Sequence, residues 1–161
     1  MIRDATPADA GAVADIWNHY IRETIITFNA AEKPLEEVQY IIAARSRQRC
    51  FVVAQHAGRI CGFATYDQFR GGVGYAHTME HTIQIAAHGA GHGLGRALLA
   101  RLEAEATRAG AHVRVAAITG ENVAGQAFHD HMGYTLVGRM PQVGRKFGRW
   151  MDLVLMQKIL N

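Results

Sequence analysis

The chain has 161 residues, 49% of them apolar, which fits a single domain spanning residues 1–161 with a substantial core. Its formal net charge of +3 suits a small polyanionic ligand, and no run of Lys and Arg argues for a nucleic-acid partner. No stretch approaches a membrane span, the leading MIRDATPADA carries no apolar signal region, and Cys50 and Cys61 lack disulfide-like spacing, which predicts a soluble cytoplasmic protein with buried thiols.

Thr6-Pro7-Ala8-Asp9 reads as a helix start, with Thr6 as cap, Pro7 in the first turn and Asp9 as the capping-box partner. Val13, Ile16, Trp17, Tyr20 and Ile21 then mark one helical face. Pro34 opens a second predicted helix reaching about Arg49. Phe51–Ala54 and Ile60–Tyr66 read as strands joined by a turn at 56–58, and Gly71–Gly74 as a loop. Thr78–Ala86 reads as a longer strand, with Glu80 unexpected inside it. Leu94, Leu98, Leu102 and Ala106 predict a helix that Gly110 stops. Val113–Ile118 is a predicted strand, Asn122 caps a short helix ended by Gly133, and Thr135–Met140 and Met151–Ile159 read as final strands. The order β-α-α-β-β-β-α-β-α-β-β implies an α/β fold, a mixed sheet with helices on both faces.

Four glycines crowd the segment Gly89–Gly95, between a strand and a helix start. Several backbone N–H groups around one concavity, next to the positive end of a helix, suit phosphate. A Walker loop is excluded because Gly-Lys-Ser/Thr is missing. A Rossmann fingerprint fails because Arg96 or Leu98 stands where its third small residue belongs.

The run Ala90-Gly91-His92-Gly93-Leu94-Gly95-Arg96-Ala97-Leu98-Leu99 resembles the pyrophosphate loop of the GNAT-type N-acetyltransferases, with Ala90 where Gln or Arg is usual. Thr78-Met79-Glu80-His81-Thr82-Ile83 is similar to the Thr-Val-Glu-His-Ser-Val segment of phosphinothricin and methionine sulfoximine N-acetyltransferases. Asn18-His19-Tyr20-Ile21, Thr27-Phe28-Asn29, Phe128–Tyr134 and Gly138–Asp152 extend the likeness over almost the whole chain.

That resemblance implies a GNAT fold, with a mostly antiparallel sheet, and acetyl transfer from acetyl-CoA to the α-amino group of a small amino acid or analogue. Glu80 and His129 are the catalytic candidates it implies. An amine must lose a proton before attack, and either residue can take it. His129 can instead protonate the departing thiolate, so its role as acid or base stays open. An outward charge for Glu80 and a structural hydrogen bond for His129 are the alternatives. The cofactor candidates are Ala90, Gly91, His92, Gly93, Leu94, Gly95 and Arg96 for pyrophosphate, the backbone of Thr82, Ile83, Gln84 and Ile85 for pantetheine, and Asn122. Gly125 stands where relatives often carry Ser. Phe28, Phe69, Arg70, Gly71, Tyr75, Glu80 and His81 match the acceptor pocket, and Arg70 suits a carboxylate through its fork.

No metal is expected. His88 and His92 bracket a glycine loop, and His129 and His131 point to different helix faces. The resemblance also implies a homodimer, with Val143–Trp150 as a candidate contact. Two other functions compete. One is acetylation of a peptide N-terminus, a polyamine or an aminoglycoside, although no acidic run suits a polycation. The other is a CoA-binding sensor without turnover, against which Glu80 and His129 argue together.

Overall fold

A computed structural model describes residues 1–160. The chain runs β1 (Ile2–Asp4), α1 (Ala10–Glu23), α2 (Leu35–Ser46), β2 (Phe51–His56), β3 (Arg59–Gln68), β4 (Thr78–Ile85), α3 (Leu94–Arg108), β5 (Val113–Thr119), α4 (Val123–His131), β6 (Thr135–Lys146) and β7 (Arg149–Ile159). The strands form one sheet in the order β1-β2-β3-β4-β5-β7-β6. Every neighbouring pair is antiparallel except β4 and β5. The predicted mixed sheet with helices on both faces is therefore the observed one.

Strand alternation builds two half-cores. Phe51 and Val53 of β2 face α1 and α2, where they meet Val13, Trp17, Val38, Ile42 and Phe63. Val52 and Ala54 face the other way, onto Leu98, Leu102 and Ala106 of α3. Ala116, Ile118, Tyr134, Val154 and Met156 form a third cluster, under Phe128 and Met132 at α4. The start of α1 follows from its capping residues. Pro7–Asp9 forms one 3₁₀ turn, and Asp9 Oδ2 accepts the Thr6 N–H at 2.8 Å. Arg3, 2.7 Å from the same carboxylate, holds the Asp9 pKa below its usual range.

The final hairpin is longer than the sequence pattern suggests. Pro141, Gly144 and Gly148 read as breaks, yet β6 runs through the first two as an edge strand with bulges. Phe147 and Gly148, both at positive φ, form the two-residue turn between paired Lys146 and Arg149. The segment 143–150 is thus the hairpin tip, where Arg145 lies over the Trp150 ring.

One irregularity positions everything that follows. β4 and β5 pair only at Thr78↔Val113, Met79↔Arg114 and Glu80↔Val115. Beyond Glu80, β4 stays with β3 as far as Gly62↔Ile85, while β5 stays with β7 as far as Thr119↔Leu153. The sheet splits there into a V-shaped notch. The α3 side of the split is carried by a tightly packed core. Leu102, with no exposure, is its test: Leu102→Ala should cost about 2–5 kcal/mol, read as a lower urea midpoint at unchanged slope. A loss below ~0.5 kcal/mol would contradict this packing.

Candidate active site

The notch opens into a cleft of about 410 Å³. One wall is β4 from Glu80 to Gln84, and the opposite wall is β5 from Ala116 to Thr119. Asn122, His129 and Leu153 also line it, as do Trp17, Lys33 and the connection Ile26–Asn29. Past Glu80 the inner edge of β4 faces this cleft with no strand beside it. That edge is a row of backbone donors and acceptors ready for an extended amide-bearing ligand.

The α1–α2 connection is fastened over the cleft from three directions. Thr119 Oγ1 donates to the Ile25 carbonyl at 2.6 Å. Lys146 Nζ donates to the carbonyls of Thr24 at 2.7 Å and Thr27 at 2.8 Å, and burial lowers its pKa. Asn18 closes the far end by pairing both ways with the Lys33 backbone, at 2.9 and 2.8 Å. The Phe28 ring sits directly on Gly144, where any Cβ would collide with it. Phe28 was a sequence candidate. Trp17, Ile26, Asn29, Lys33, Ala117, Thr119 and Leu153 were not, and only the quoted Thr27-Phe28-Asn29 match hinted at this wall.

Glu80 stands at the root of the notch, the last β4 residue paired with β5. It is half-buried, and burial alone raises its carboxyl pKa. A carboxylate of raised pKa is a better proton acceptor near neutrality.

His129 and His81 form a pair whose tautomers the geometry fixes. His129 Nδ1 lies 2.7 Å from the Gly125 carbonyl, which can only accept, so this nitrogen carries the proton. In the neutral ring His129 Nε2 is then an acceptor. His81 Nε2, 2.9 Å away, must donate to it. The remaining His81 nitrogen, Nδ1, is a buried lone pair with no protein partner. Burial is the main reason both rings sit below the ordinary histidine pKa, His81 well below. Both line the cleft, as uncharged proton acceptors. Gln84 adds a buried amide oxygen, also without a protein partner.

Where β4 ends, the glycine loop leads into α3. Gly91 and Gly93 have φ of +78° and +69° with open space around their missing Cβ atoms, so conformation and not packing requires them. The first helical bond runs from Ala97 N to Gly93 O, which leaves the N–H groups of Leu94, Gly95 and Arg96 free of helical partners. Ala90, His92 and Arg96 are exposed beside them, and the His92 ring lies 4.5 Å from that of His56. His88 turns toward the Ile60 carbonyl instead. This cradle, with the open β4 edge, fits a pyrophosphate and the amide-bearing arm attached to it. Asn122 caps α4 by accepting the Gly125 N–H at 2.9 Å, and a Cβ on Gly125 would collide with the Asn122 carboxamide.

The other acceptor candidates stay outside the cleft. Phe69, Arg70, Gly71 and Tyr75 occupy the connection between β3 and β4, and Arg70 lies over the Tyr75 ring at 5.6 Å. Phe69 N donates to the Thr78 carbonyl, two residues from Glu80, so this connection borders the root of the notch. Cys50 and Cys61 are free and buried. No group of three or more His, Cys, Asp or Glu arranged for a metal occurs among the described residues, and no helix among them could cross a membrane.

Known proteins share this architecture. The chain is 37% identical to an L-methionine sulfoximine/L-methionine sulfone acetyltransferase of Salmonella typhimurium, over 99% of this chain and 94% of that one. A solved acetyltransferase from Salmonella typhimurium, with its cofactor acetyl-CoA, superposes at TM-score 0.95 and 37% identity, covering 100% of this chain and 94% of that chain. A ribosomal-protein-alanine N-acetyltransferase from Brucella melitensis does so at TM-score 0.95 and 38% identity, with 99% of each chain covered. The acetyltransferase (GNAT) domain model matches residues 2–155, and the chain therefore belongs to the GNAT acetyltransferase family.

Proposed function

We propose that this acetyltransferase moves the acetyl group of acetyl-CoA to the α-amino group of a small amino acid or analogue of the methionine sulfoximine, methionine sulfone or phosphinothricin type. The observation that carries the reading is the notch itself: a free strand edge with a phosphate cradle at its mouth and Glu80 at its root. Acetyl-CoA supplies an acetyl thioester, whose C–S bond breaks as the amide C–N bond forms. The loop Gly91–Arg96 binds pyrophosphate, the β4 edge from Thr82 to Ile85 orients the pantetheine arm, and a backbone N–H there polarises the thioester carbonyl. Glu80, directly or through water, takes the proton of the attacking amine.

The resting His81–His129 pair can accept a proton but has none to give away. His129 therefore acts on the thiolate only after the pair has gained a proton, and the one open lone pair of the two rings is His81 Nδ1. Holding amine and thioester in line supplies most of the acceleration. Phe28 walls the acceptor, while Arg70, with Phe69, Gly71 and Tyr75, forms its outer rim and offers a guanidinium to its carboxylate. The small net charge supports a small-molecule acceptor and neither a nucleic acid nor a membrane, and the free, buried cysteines support a cytoplasmic location. Exposed Val143, Phe147 and Trp150 on the hairpin tip support a homodimer. Acetylation of a protein N-terminus is the second reading, favoured by the name of the Brucella melitensis relative, since that amine is also an α-amino group.

Thiol release from acetyl-CoA, measured with an acceptor panel, decides between them. Turnover is expected with methionine sulfoximine, methionine sulfone or phosphinothricin, and not with a polyamine or aminoglycoside. Turnover confined to an alanine-terminated peptide would establish the second reading. Glu80→Gln and His129→Ala are each expected to lower kcat at least ~100-fold. Tight CoA binding with no turnover on any acceptor would replace the enzyme by a sensor. Gly144→Ala should push Phe28 into the cleft, raising KM for the amine while leaving CoA affinity within about twofold. Sedimentation of the intact chain should give a dimer that Trp150→Glu dissociates; a monomer at all concentrations would remove the dimer from this reading.

A further inference from the structure

Three side chains hold buried polar atoms that have no hydrogen-bond partner among the described residues: His81, Gln84 and Arg114. Arg114 does not line the cleft, whereas His81 and Gln84 do. His81 Nδ1 belongs to the imidazole pair. Gln84 Oε1 lies apart from that pair, near the end of β4, on a residue only 5% exposed. An amide oxygen left unpaired at that depth is costly, and a ligand that donates to it recovers the cost.

The pairing of β4 with β3 says where this carboxamide stands. The register is unbroken from Met79 to Ile85, so Glu80 and Gln84 leave one face of the strand and His81 the other. Gln84 is opposite Phe63, whose ring lies 4.9 Å from that of Trp17. The Lys33 ammonium lies over the same Trp17 ring, at 4.9 Å. Trp17, Phe28 and Lys33 line the cleft on the side of the α1–α2 connection, and Gln84 faces that compartment. Lys33 does not satisfy it, because its ammonium donates to Glu37 Oε1 at 3.0 Å.

The spacing from Glu80 to Gln84 matches a small amino acid laid along the strand. Residues four apart on one strand face are ~13 Å apart, and Glu and Gln side chains have the same length, so their ends keep about that separation. An extended amino acid of the methionine type spans ~6 Å from its amine to a polar atom on its sulfur, and a hydrogen bond of ~2.8 Å at each end brings the total to ~12 Å.

We propose that Gln84 is a specificity-determining residue: its carboxamide reads the end of the acceptor's side chain and selects a group that carries a hydrogen-bond donor as well as an acceptor, so that methionine sulfoximine is preferred over methionine sulfone and phosphinothricin. This role rests on the acetyltransferase reading for the amine held at Glu80. Whichever way it is turned, a carboxamide presents an acceptor and donors. The sulfoximine sulfur carries an N–H and an oxygen and pairs with both. A sulfone or an ionised phosphinate offers acceptors alone and leaves the buried oxygen of Gln84 unpaired. A site built around such an atom discriminates against the analogue that lacks the matching group, more sharply than an apolar pocket could.

The test is thiol release from acetyl-CoA with methionine sulfoximine and methionine sulfone as a matched pair, in wild type, Gln84→Leu and Gln84→Met. Wild type is expected to favour the sulfoximine at least ~10-fold in kcat/KM. Both variants should bring that ratio to about 3 or below, with the loss falling on the sulfoximine. Neither substitution buries a new polar group, and the wild-type ratio needs no variant at all.

A wild type that treats the two acceptors alike overturns the proposal, and so does a sulfoximine preference that survives both substitutions. A variant that raises KM for acetyl-CoA at an unchanged ratio overturns it as well, by assigning Gln84 to the cofactor arm. If wild type acetylates neither amino acid, the acceptor class fails and this role with it; equal turnover of both removes the role of Gln84 alone.

Discussion

The parting of β4 from β5 after three paired residues governs the rest of the molecule. A parallel pair buried between helices would ordinarily run its full length, because unpaired backbone is costly away from water. Here each strand keeps its other neighbour to the end, so the sheet stays whole on either side of the gap. The split exposes a strip of β4 backbone, sets Glu80 at the apex and leaves the α3 N-terminus at the open end.

The two sides of that gap are supported differently. On the α3 side, close packing does the work: a Cβ on Gly89 would stand 2.7 Å from the Cys61 Cβ, so the start of the phosphate loop rests on β3 at backbone range. On the acceptor side, polar tethers do it, from Thr119, Lys146 and Asn18. A loop proposed to hold the part common to every CoA thioester is suited by rigid packing. The acceptor wall must recognise one side chain among many, and a tethered loop can change its lining without disturbing the core.

Much of this was legible in the chain. Periodicity and capping gave every helix, and the glycine cluster pointed to an anion before any family was considered. The resemblance to phosphinothricin-type enzymes supplied Glu80 and His129, which the fold brings to one cleft. The hairpin was cut short because Pro141 and Gly144 look like strand breakers, and an edge strand with bulges tolerates both. The loop wall was hidden because its tethers join residues up to 122 positions apart. Arg114 was overlooked although its signal matched that of Glu80, a charge inside an apolar strand. Nothing in the sequence says which face of the sheet such a charge takes, and that face decides whether it meets water or the core.

The tethers on the acceptor wall have one more consequence, an evolutionary one. Lys146 and Thr119 grip the main-chain carbonyls of Thr24, Ile25 and Thr27. The hydroxyls of Thr24 and Thr27 add to that hold by accepting the N–H groups of Ile26 and Asn29, so the tethers act whatever side chains stand at 25 and 26. The side chains at 25 and 26 are free to drift, and with them the amine this lineage accepts, while the scaffold that positions the loop is inherited unchanged.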